Sequence, residues 1–313
     1  MRAEWMLRTI LMFGAMSAIL IALGSIIGLF IGGNYWFILS TIMLGISLLI
    51  IIISYIFSKQ IALKSNHVRI ISEFDNPRFY RIVKEVAGKA DLPMPEVGIM
   101  YSDQPNAFAT GRNPSNAAVV ATTSILELLS DDELRGVIAH EMSHIRNRDI
   151  LVMTIASGLS SVISYATHIA TSIMVITSDR GGERMLAWVL KIILDLLIPF
   201  AAFLIQLGIS RNREYLADET GARIINDPRS LASALRRLEG GIIYSNENPQ
   251  TQTDEHGRTT TAFSPADNPN TAHMWIANPL AGKKSVMTKL FSTHPPMEDR
   301  IRKLNELADE LGL

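Results

Sequence analysis

Two histidines set four residues apart, His140 and His144, are the side chains whose type and spacing could do chemistry in this sequence. In a helix, residues four apart lie on one face, one turn above the other. Two neutral imidazoles so arranged could bind a single Zn²⁺, and Glu141 between them could reach a water molecule on the open side of the ion. The pattern is short and recurs by chance, so the elements around it must decide whether it is a metal site.

The flanking residues predict a well-formed helix around this pair. Ser130 and Glu133 have the spacing of a capping box, with Ser130 as the N-cap and Glu133 as its reciprocal partner. Apolar residues then recur at helical intervals, namely Leu134, Val137, Ile138, Met142 and Ile145. Both histidines therefore lie well inside a helix, which favours a metal site over a surface helix that happens to carry two histidines.

A third ligand is expected from residues 213–225, which are also predicted to be helical. Catalytic zinc usually takes three protein ligands and leaves one position for water. Glu214 could be that ligand, and Asp218 one turn later could accept the second ring N–H of a ligating histidine. On spacing alone, two solvated carboxylates beside the neighbouring arginines are an equal alternative. His256 and His273 are rival ligands, although both lie in or beside a segment without regular periodicity.

The composition indicates a membrane protein and excludes several classes of site. Of the 313 residues, 48% are hydrophobic and only 19% are charged, and the mean hydropathy is positive. A net charge of −1 gives no reason to expect a nucleic-acid partner. The absence of cysteine excludes disulfides, thiolate ligands and a cysteine nucleophile.

Four apolar runs are long enough to cross a bilayer, at about 1.5 Å per residue. They predict two transmembrane hairpins, with spans at residues 9–31, 37–57, 150–178 and 185–209. Lys191 and Asp195 interrupt the fourth run, and we interpret them as an internal ion pair in preference to a transport element. His168 in the third run is likewise interpreted as a packing or hydrogen-bonding residue. Because two spans separate His140 from Glu214, the chain returns to the same side of the membrane and the two ligands can meet.

Basic residues beside the spans predict the orientation of the chain. Arg180 and Arg184 flank the spans on one side; those on the other side are Arg2, Arg8, Lys59, Lys64, Arg146, Arg148, Arg211 and Arg213. The positive-inside rule therefore puts both termini and the metal helix in the cytoplasm, in a protein of the cell (inner) membrane. The expected division is a first transmembrane hairpin, a first catalytic part with the zinc helix, a second hairpin and a second catalytic part, at residues 1–58, 59–149, 150–209 and 210–313.

A small sheet is expected before the metal helix. Residues 96–101 and 117–122 are predicted strands, and residues 106–110 are apolar enough for a short one between them. An edge strand close to the metal helix could pair with an extended peptide, although a purely structural strand is at least as well supported. Residues 245–272 have no clear period and are expected to form a surface loop.

Three motifs in order resemble those of the HtpX-type membrane metalloproteases, which share a wider group with the CAAX prenyl proteases. They lie at residues 140–144 (His-Glu-Met-Ser-His), 210–218 and 292–296, and the resemblance covers nearly the whole chain. It implies a mainly α membrane protein with a zincin-like α+β catalytic domain and a small sheet. It also implies that Glu214 is the third ligand, that Asp218 lies behind the ligands, and that Asn106 and His294 lie near the substrate.

The resemblance further implies proteolysis of misfolded or damaged membrane proteins on the cytoplasmic side. One zinc ion per chain, held by His140, His144 and Glu214, would lower the pKa of its bound water to about 7. Glu141 would then take the water proton and deliver it to the leaving amine. His294 could hydrogen-bond the oxyanion, or it could be an exposed residue at a helix start. CAAX prenyl proteases have more spans around a large chamber, which argues against prenyl processing here.

Two other classes of function compete with a protease. A zinc-regulated transporter or channel would use Lys191, Asp195 and His168, but four spans are few for transport and Glu141 would be unexplained. A metal-binding adaptor could gather membrane proteins without cleaving them, although the intact Glu141 argues against it. The protease interpretation expects protein or peptide substrates and the lipid bilayer as partners, and it leaves the oligomeric state open.

Overall fold

In the computed structural model, the chain divides into two compact units. The hairpin unit comprises Met1–Ile56 and Val152–Ile209, and the sheet unit comprises Phe57–Leu151 and Ser210–Leu313. The structure describes residues 2–31, 35–178, 181–247, 251–253, 259–261, 276 and 295–313.

Helices dominate the part of the chain that the structure describes, and a small sheet accompanies them. The helices are α1 (Arg2–Ile31), α2 (Tyr35–Ser65), α3 (Pro77–Lys89), α4 (Thr123–Leu128), α5 (Asp131–Asn147), α6 (Asp149–Thr177), α7 (Gly181–Ile225), α8 (Pro228–Glu247) and α9 (Met297–Leu311). The strands are β1 (Arg69–Ile71), β2 (Glu96–Met100), β3 (Ala107–Gly111), β4 (Ala117–Thr122), β5 (Thr251–Thr253) and β6 (Thr259–Thr261). The predicted fourth span and the predicted helix 213–225 belong to one continuous helix, α7.

Within the hairpin unit, α1 and α2 approach closely at Gly24. A Cβ atom at this position would lie 2.7 Å from the backbone oxygen of Leu39, so only glycine fits without displacing α2. Next to it, the hydroxyls of Ser25 and Ser40 share a hydrogen bond of 2.7 Å. Small residues thus allow two apolar helices to pack backbone against backbone, as is typical of helix pairs in membranes.

Two described helical segments, Gly158–Thr177 and Arg184–Ala202, are long and apolar enough to cross a membrane. A third candidate joins Phe37–Ile53 to Tyr55–Ser65 across a bend of 63°. The apolar segment Gly14–Ile26 is shorter than a full span. The described residues therefore support a membrane protein with two or three candidate spans, and the count of four stays a prediction.

The second hairpin contains the ion pair expected from the sequence. The ammonium of Lys191 lies 2.9 Å from a carboxylate oxygen of Asp195, one turn along α7. On the facing helix α6, Thr171 donates to the same carboxylate at 2.7 Å. Each charge therefore has a partner inside the hairpin, which lowers the cost of placing it in an apolar span.

The sheet unit has a four-stranded sheet with the order β1-β2-β4-β3. Strands β2 and β4 are parallel, whereas β1 and β3 pair antiparallel with β2 and β4 respectively. The three predicted strands are present within one residue of their expected bounds. Among the described residues β3 pairs with β4 alone, which makes it an edge strand there, and the backbone N–H of Ala109 on β3 is bound by Glu141 of α5.

Helix α5 is the central element of the sheet unit, and its start is fixed by side chains. The Ser130 hydroxyl accepts from the backbone N–H of Glu133, and the Glu133 carboxylate accepts from the Ser130 N–H, so the predicted capping box is present. Glu133 is also bound by Ser233 at 2.7 Å and Arg237 at 2.8 Å, both on α8. Burial opposes ionisation of Glu133, but these hydrogen bonds outweigh it and lower its pKa.

The core of the sheet unit forms around α5. Gly136 lets α8 approach closely, because a Cβ atom there would lie 2.9 Å from the backbone of Leu231. The buried residues that α3, α5 and α8 contribute include Phe79, Ile82, Val83, Val86, Leu134, Val137, Ile138, Met142, Leu235 and Leu238. At its other end α5 stops at Arg148, whose left-handed conformation (φ 58°) separates α5 from α6. The two histidines thus sit on a helix that is packed on several sides and cannot shift freely.

Candidate active site

Three side chains from α5 and α7 bring their donor atoms together inside the sheet unit. The Nε2 atoms of His140 and His144 lie 3.1 Å apart. The carboxylate oxygens of Glu214 lie 3.7 Å from Nε2 of His140 and 3.5 Å from Nε2 of His144. His140 and Glu214 are buried, and the His144 side chain is 12% exposed.

These distances fit a tetrahedral metal ion. Nitrogen and oxygen ligands lie about 2.0 to 2.2 Å from zinc, so two ligands of one tetrahedral ion lie roughly 3.3 to 3.6 Å from each other. The separation between the two Nε2 atoms, and the distances from Nε2 of His140 to Oε2 of Glu214 and from Nε2 of His144 to Oε1 of Glu214, scatter around that range. Two imidazoles and one carboxylate also form a donor set that suits a catalytic metal with an open position.

Carboxylates behind the histidines orient both rings. Nδ1 of His140 lies 2.9 Å from Asp218, and Nδ1 of His144 lies 3.1 Å from Asp149. A proton on Nδ1 leaves the lone pair of Nε2 free to face the other ligands. Each carboxylate therefore fixes the tautomer in which Nε2 can bind a metal.

Two buried arginines complete this arrangement. Arg300 on α9 makes a two-pronged contact with Asp218, at 2.7 Å for each oxygen, and lies 3.4 Å from Glu214. Arg213 on α7 lies 2.7 Å from Asp149. The guanidinium groups balance carboxylates that would otherwise be costly to bury, and their planar shape matches a carboxylate geometrically.

The pKa shifts of these groups follow from burial and charge. Burial lowers the pKa of His140 and outweighs the opposing effect of Asp218. For His144 burial acts in the same sense, but the carboxylates of Asp149 and Glu214 outweigh it and raise the pKa well above its usual value. Asp218 is buried too, yet Arg300 holds its pKa below the usual range. Carboxylates that favour a proton on His144 would also favour a metal cation beside its ring.

Glu141 is held against the edge strand of the sheet. Its Oε2 atom accepts a hydrogen bond of 2.7 Å from the backbone N–H of Ala109 on β3. Burial raises the pKa of Glu141 to about 8. A carboxyl group with a raised pKa beside two imidazoles is typical of a residue that accepts and returns protons.

A glycine on α7 allows α5 and α7, which carry the three converging side chains, to approach closely. A Cβ atom on Gly221 would lie 2.7 Å from the backbone nitrogen of His140 and 2.9 Å from the carbonyl carbon of Ala139. Both contacts are with backbone atoms, which cannot move aside as a flexible side chain can. Gly221 therefore sets the spacing between α5 and α7 that brings Glu214 within reach of the histidines.

Asn106 lies immediately before β3 and is buried. Its side-chain oxygen accepts a hydrogen bond of 3.0 Å from the backbone N–H of Ile276, and Arg300 donates to the carbonyl of the same residue at 2.6 Å. The side-chain nitrogen of Asn106 has no hydrogen-bond partner among the described residues. His294, His256 and His273 lie outside the described residues.

Three residues of this network were not expected from the sequence: Asp149, Arg213 and Arg300. Asp149 is five residues after His144, and it reaches the ring only because the chain turns at Arg148. Arg300 lies among the buried residues of α9 together with Leu304 and Leu307, so a cation on the apolar face of that helix was an available signal.

Several known proteins are similar to this chain over nearly its full length. The model of Peptidase family M48 matches residues 73–308. Protease HtpX homolog of Syntrophobacter fumaroxidans is 41% identical over 307 residues, which covers 96% of this chain and 98% of that protein. Protease HtpX homolog of Pyrococcus furiosus is 42% identical over 309 residues, which covers 98% of this chain and 97% of that protein.

A solved structure shares the fold. The crystal structure of Ste24p from S. mikatae matches with a TM-score of 0.53 at 18% sequence identity, and the match covers 96% of this chain but only 65% of that one. The family match and the relatives confirm the expected protease activity, and they do not favour the transporter or adaptor alternatives. The chain therefore belongs to peptidase family M48, and it is a membrane metalloprotease.

Proposed function

We propose that this chain is a zinc endopeptidase with one ion per chain, which cleaves misfolded or damaged membrane proteins at the cytoplasmic face of the cell (inner) membrane. His140, His144 and Glu214 would hold the ion. The observation that carries the proposal is the convergence of their donor atoms, all within 4.8 Å of one another, in a buried part of the sheet unit. When bound, zinc would acidify a water molecule and polarise the peptide carbonyl.

Glu141 is proposed as the proton carrier of the reaction. One of its oxygens accepts a hydrogen bond from the N–H of Ala109, which favours a single orientation of the carboxyl group. In this position it would take a proton from the attacking water and deliver it to the nitrogen of the leaving amine. His294 is proposed, from the sequence alone, to hydrogen-bond the oxyanion.

The edge strand β3 is the proposed binding site for the substrate backbone. An extended peptide could add to the side of β3 that faces away from β4, next to Glu141. Asn106 lies at the start of this strand, and its buried side-chain nitrogen could donate to a peptide carbonyl. The strand would then hold the scissile bond parallel to α5, within reach of the catalytic groups.

The location of the reaction is proposed from the distribution of charge. The positive-inside rule places both termini and the site in the cytoplasm, in a chain with four spans. The proposed division follows the expected hairpins and catalytic parts, at residues 1–58, 59–149, 150–209 and 210–313.

Substitution of Glu141 tests the proposal. The full-length chain in detergent, loaded with zinc, should cleave an unfolded soluble protein such as casein, and a chelator should abolish cleavage. Glu141→Gln should keep one zinc per chain and lose about 10²- to 10⁴-fold in turnover. Glu219→Gln, an exposed acid on α7, is the matched control and should cleave normally. Unchanged turnover in Glu141→Gln removes this residue from the mechanism, and cleavage that survives complete metal removal rejects a metalloprotease.

A further inference from the structure

The exposed face of α6 carries hydrogen-bonding side chains in the middle of an apolar span. Ser161, Tyr165, His168 and Ser172 follow one another at intervals of four, three and four residues, which places them along one side of the helix. Tyr165 is 70% exposed, and the His168 side chain is 67% exposed. We call these four residues the polar stripe.

The polar stripe differs from the other exposed helix face of the same hairpin. The exposed residues of α7 include Leu186 at 60%, Ile192 at 66% and Leu196 at 68%, all of which suit contact with lipid chains. Ser172 already donates to the carbonyl of His168 at 2.7 Å and accepts from Lys191 at 3.1 Å, but Tyr165 and His168 are mostly exposed and carry polar atoms, which are costly to expose to hydrocarbon. A row of such groups at coiled-coil spacing is typical of a surface that packs against another transmembrane helix.

The residues behind His168 determine which hydrogen-bonding group it presents. Lys191 has three close oxygen partners, namely Asp195 at 2.9 Å and the hydroxyls of Thr171 and Ser172 at 3.1 Å each. These contacts use all three N–H donors of the ammonium group, which also lies 3.5 Å from Nδ1 of His168. Nδ1 of His168 therefore donates to Asp195 at 3.4 Å, and its Nε2 is left as a hydrogen-bond acceptor.

We propose that the polar stripe binds the transmembrane helix of a substrate that carries a hydrogen-bond donor, an amide or a hydroxyl, halfway through its span. The proposal rests on the proposed function, since it names the substrate class of the same protease. A correctly folded membrane protein pairs such side chains within its own helix bundle, whereas a misfolded or unassembled one leaves them facing lipid. The stripe would thereby select damaged substrates inside the bilayer.

A second copy of this chain fits the polar stripe less well. A symmetric pair of copies brings each His168 against its own equivalent. Both rings would then present an acceptor at Nε2, and two acceptors cannot share a hydrogen bond without a further proton. A substrate amide or hydroxyl placed opposite His168 supplies that donor directly, whereas the hydroxyls of a symmetric second copy (Ser161, Tyr165 and Ser172) lie at other heights along the helix.

Disulfide cross-linking tests the inference without requiring cleavage. The chain has no cysteine, so Ile169→Cys beside the stripe introduces a single thiol. The full-length Glu141→Gln variant with this thiol is placed in phosphatidylethanolamine–phosphatidylglycerol vesicles. Two leucine-rich single-span peptides are added, each with one cysteine and with either Asn or Leu at mid-span. The Asn peptide should cross-link about 3- to 15-fold more than the Leu peptide. Leu196→Cys on α7 is the matched control and should give a ratio near one.

Variants of His168 sharpen the result. His168→Phe should bring the ratio between the two peptides close to one, and His168→Gln, which offers an acceptor again, should restore part of it. Equal cross-linking of both peptides at position 169, or a ratio that survives His168→Phe, overturns the inference. Disulfide formation between two copies in preference to the peptides overturns it as well, because the stripe would then be an interface of the enzyme with itself. Cleavage of soluble casein, measured separately, decides the proposed function whatever the cross-linking shows.

Discussion

The sheet unit and the hairpin unit each contain an aspartate paired with a basic side chain, and the two pairs serve different ends. Asp218 contacts Arg300 through both oxygens and also reaches the ring of His140, one of three side chains whose donor atoms converge. Asp195 contacts Lys191 and accepts a hydrogen bond from Thr171, both of which lie in the hairpin unit. An ion pair inside a protein is therefore no sign of chemistry by itself. What distinguishes the candidate active site is that the donor atoms of several side chains converge on one point, and that neighbouring charged groups keep these side chains oriented.

The two cations also differ in how firmly they hold their partner. Arg300 is completely buried and offers a rigid planar fork, whereas the Lys191 side chain is 13% exposed and offers a single rotatable ammonium. The guanidinium of Arg300 binds both oxygens of Asp218, and this can hold the carboxylate in position against the ring of His140. We expect the first pair to be sensitive to substitution and the second to be tolerant.

Loss of Arg300 should have the largest effect. Arg300→Met leaves the charge of Asp218 buried without its partner, and this should cost about 3 to 5 kcal/mol of unfolding free energy. Arg302→Met on the same helix breaks exposed ion pairs and should leave the unfolding midpoint nearly unchanged. Thermal unfolding of the detergent-solubilised chain measures both. Equal midpoints for the two variants would mean that the buried fork does not stabilise the sheet unit.

Removing the charge of Asp218 should weaken metal binding. Asp218→Asn keeps the shape of the side chain but no longer offers a carboxylate to Nδ1 of His140, so the dissociation constant for zinc should rise about 10- to 100-fold. Competition with a coloured chelator gives this constant. Glu219→Gln is the control, since Glu219 is the next residue but is exposed. An unchanged constant in Asp218→Asn would show that His140 is oriented by something else.

Gly221→Ala tests the spacing of the helices. The added methyl group would overlap the backbone at His140, and we expect a loss of about 1 to 3 kcal/mol together with weaker zinc binding. Gly240→Ala on α8 meets no atom within 4 Å and should stabilise the chain by about 0.5 to 1 kcal/mol. Chemical unfolding measures the difference. A neutral Gly221→Ala would mean that α5 and α7 can separate without cost.

Substitution of the Lys191–Asp195 pair should have the smallest effect on the zinc content of the chain. Lys191→Met leaves Asp195 without its cation, whereas Lys191→Met together with Asp195→Leu removes both charges. We expect the double variant to unfold at a higher temperature than the single one, with a coupling energy of roughly 0.5 to 3 kcal/mol, and both to keep one zinc per chain. Loss of zinc in either variant would show that the Lys191–Asp195 pair, like the Arg300–Asp218 pair, supports metal binding.

Local sequence patterns predicted the elements of the sheet unit, but they did not predict the charged residues around the three converging side chains, namely Asp149, Arg213 and Arg300. The capping box at Ser130 and the apolar periodicity of α5 are properties of neighbouring residues, so the sequence displays them directly. The spacing of Glu214 and Asp218 likewise follows from the geometry of one helix. Arg300 meets Asp218 from a separate helix, 82 residues along the chain, and no local rule places such contacts.

The boundaries of the membrane helices were predicted less well, for a physical reason. Hydropathy reports where a span could lie, but it does not report where a helix stops. Helix α7 continues through residue 225, because no helix-breaking residue lies between its apolar part and Glu214. Helix α5 ends at Arg148, which adopts a left-handed conformation, and arginine is not a residue type that predicts such an end.

The zinc content of Glu214→Ala tests the central claim most directly. Wild-type protein and Glu219→Ala should each retain one zinc per chain after dialysis against a weak chelator, measured by elemental analysis of the detergent-solubilised chain. Glu214→Ala should retain almost none, because two imidazoles alone do not form a closed set of three ligands. Full zinc occupancy in Glu214→Ala would contradict the claim, since another side chain would then be the third ligand.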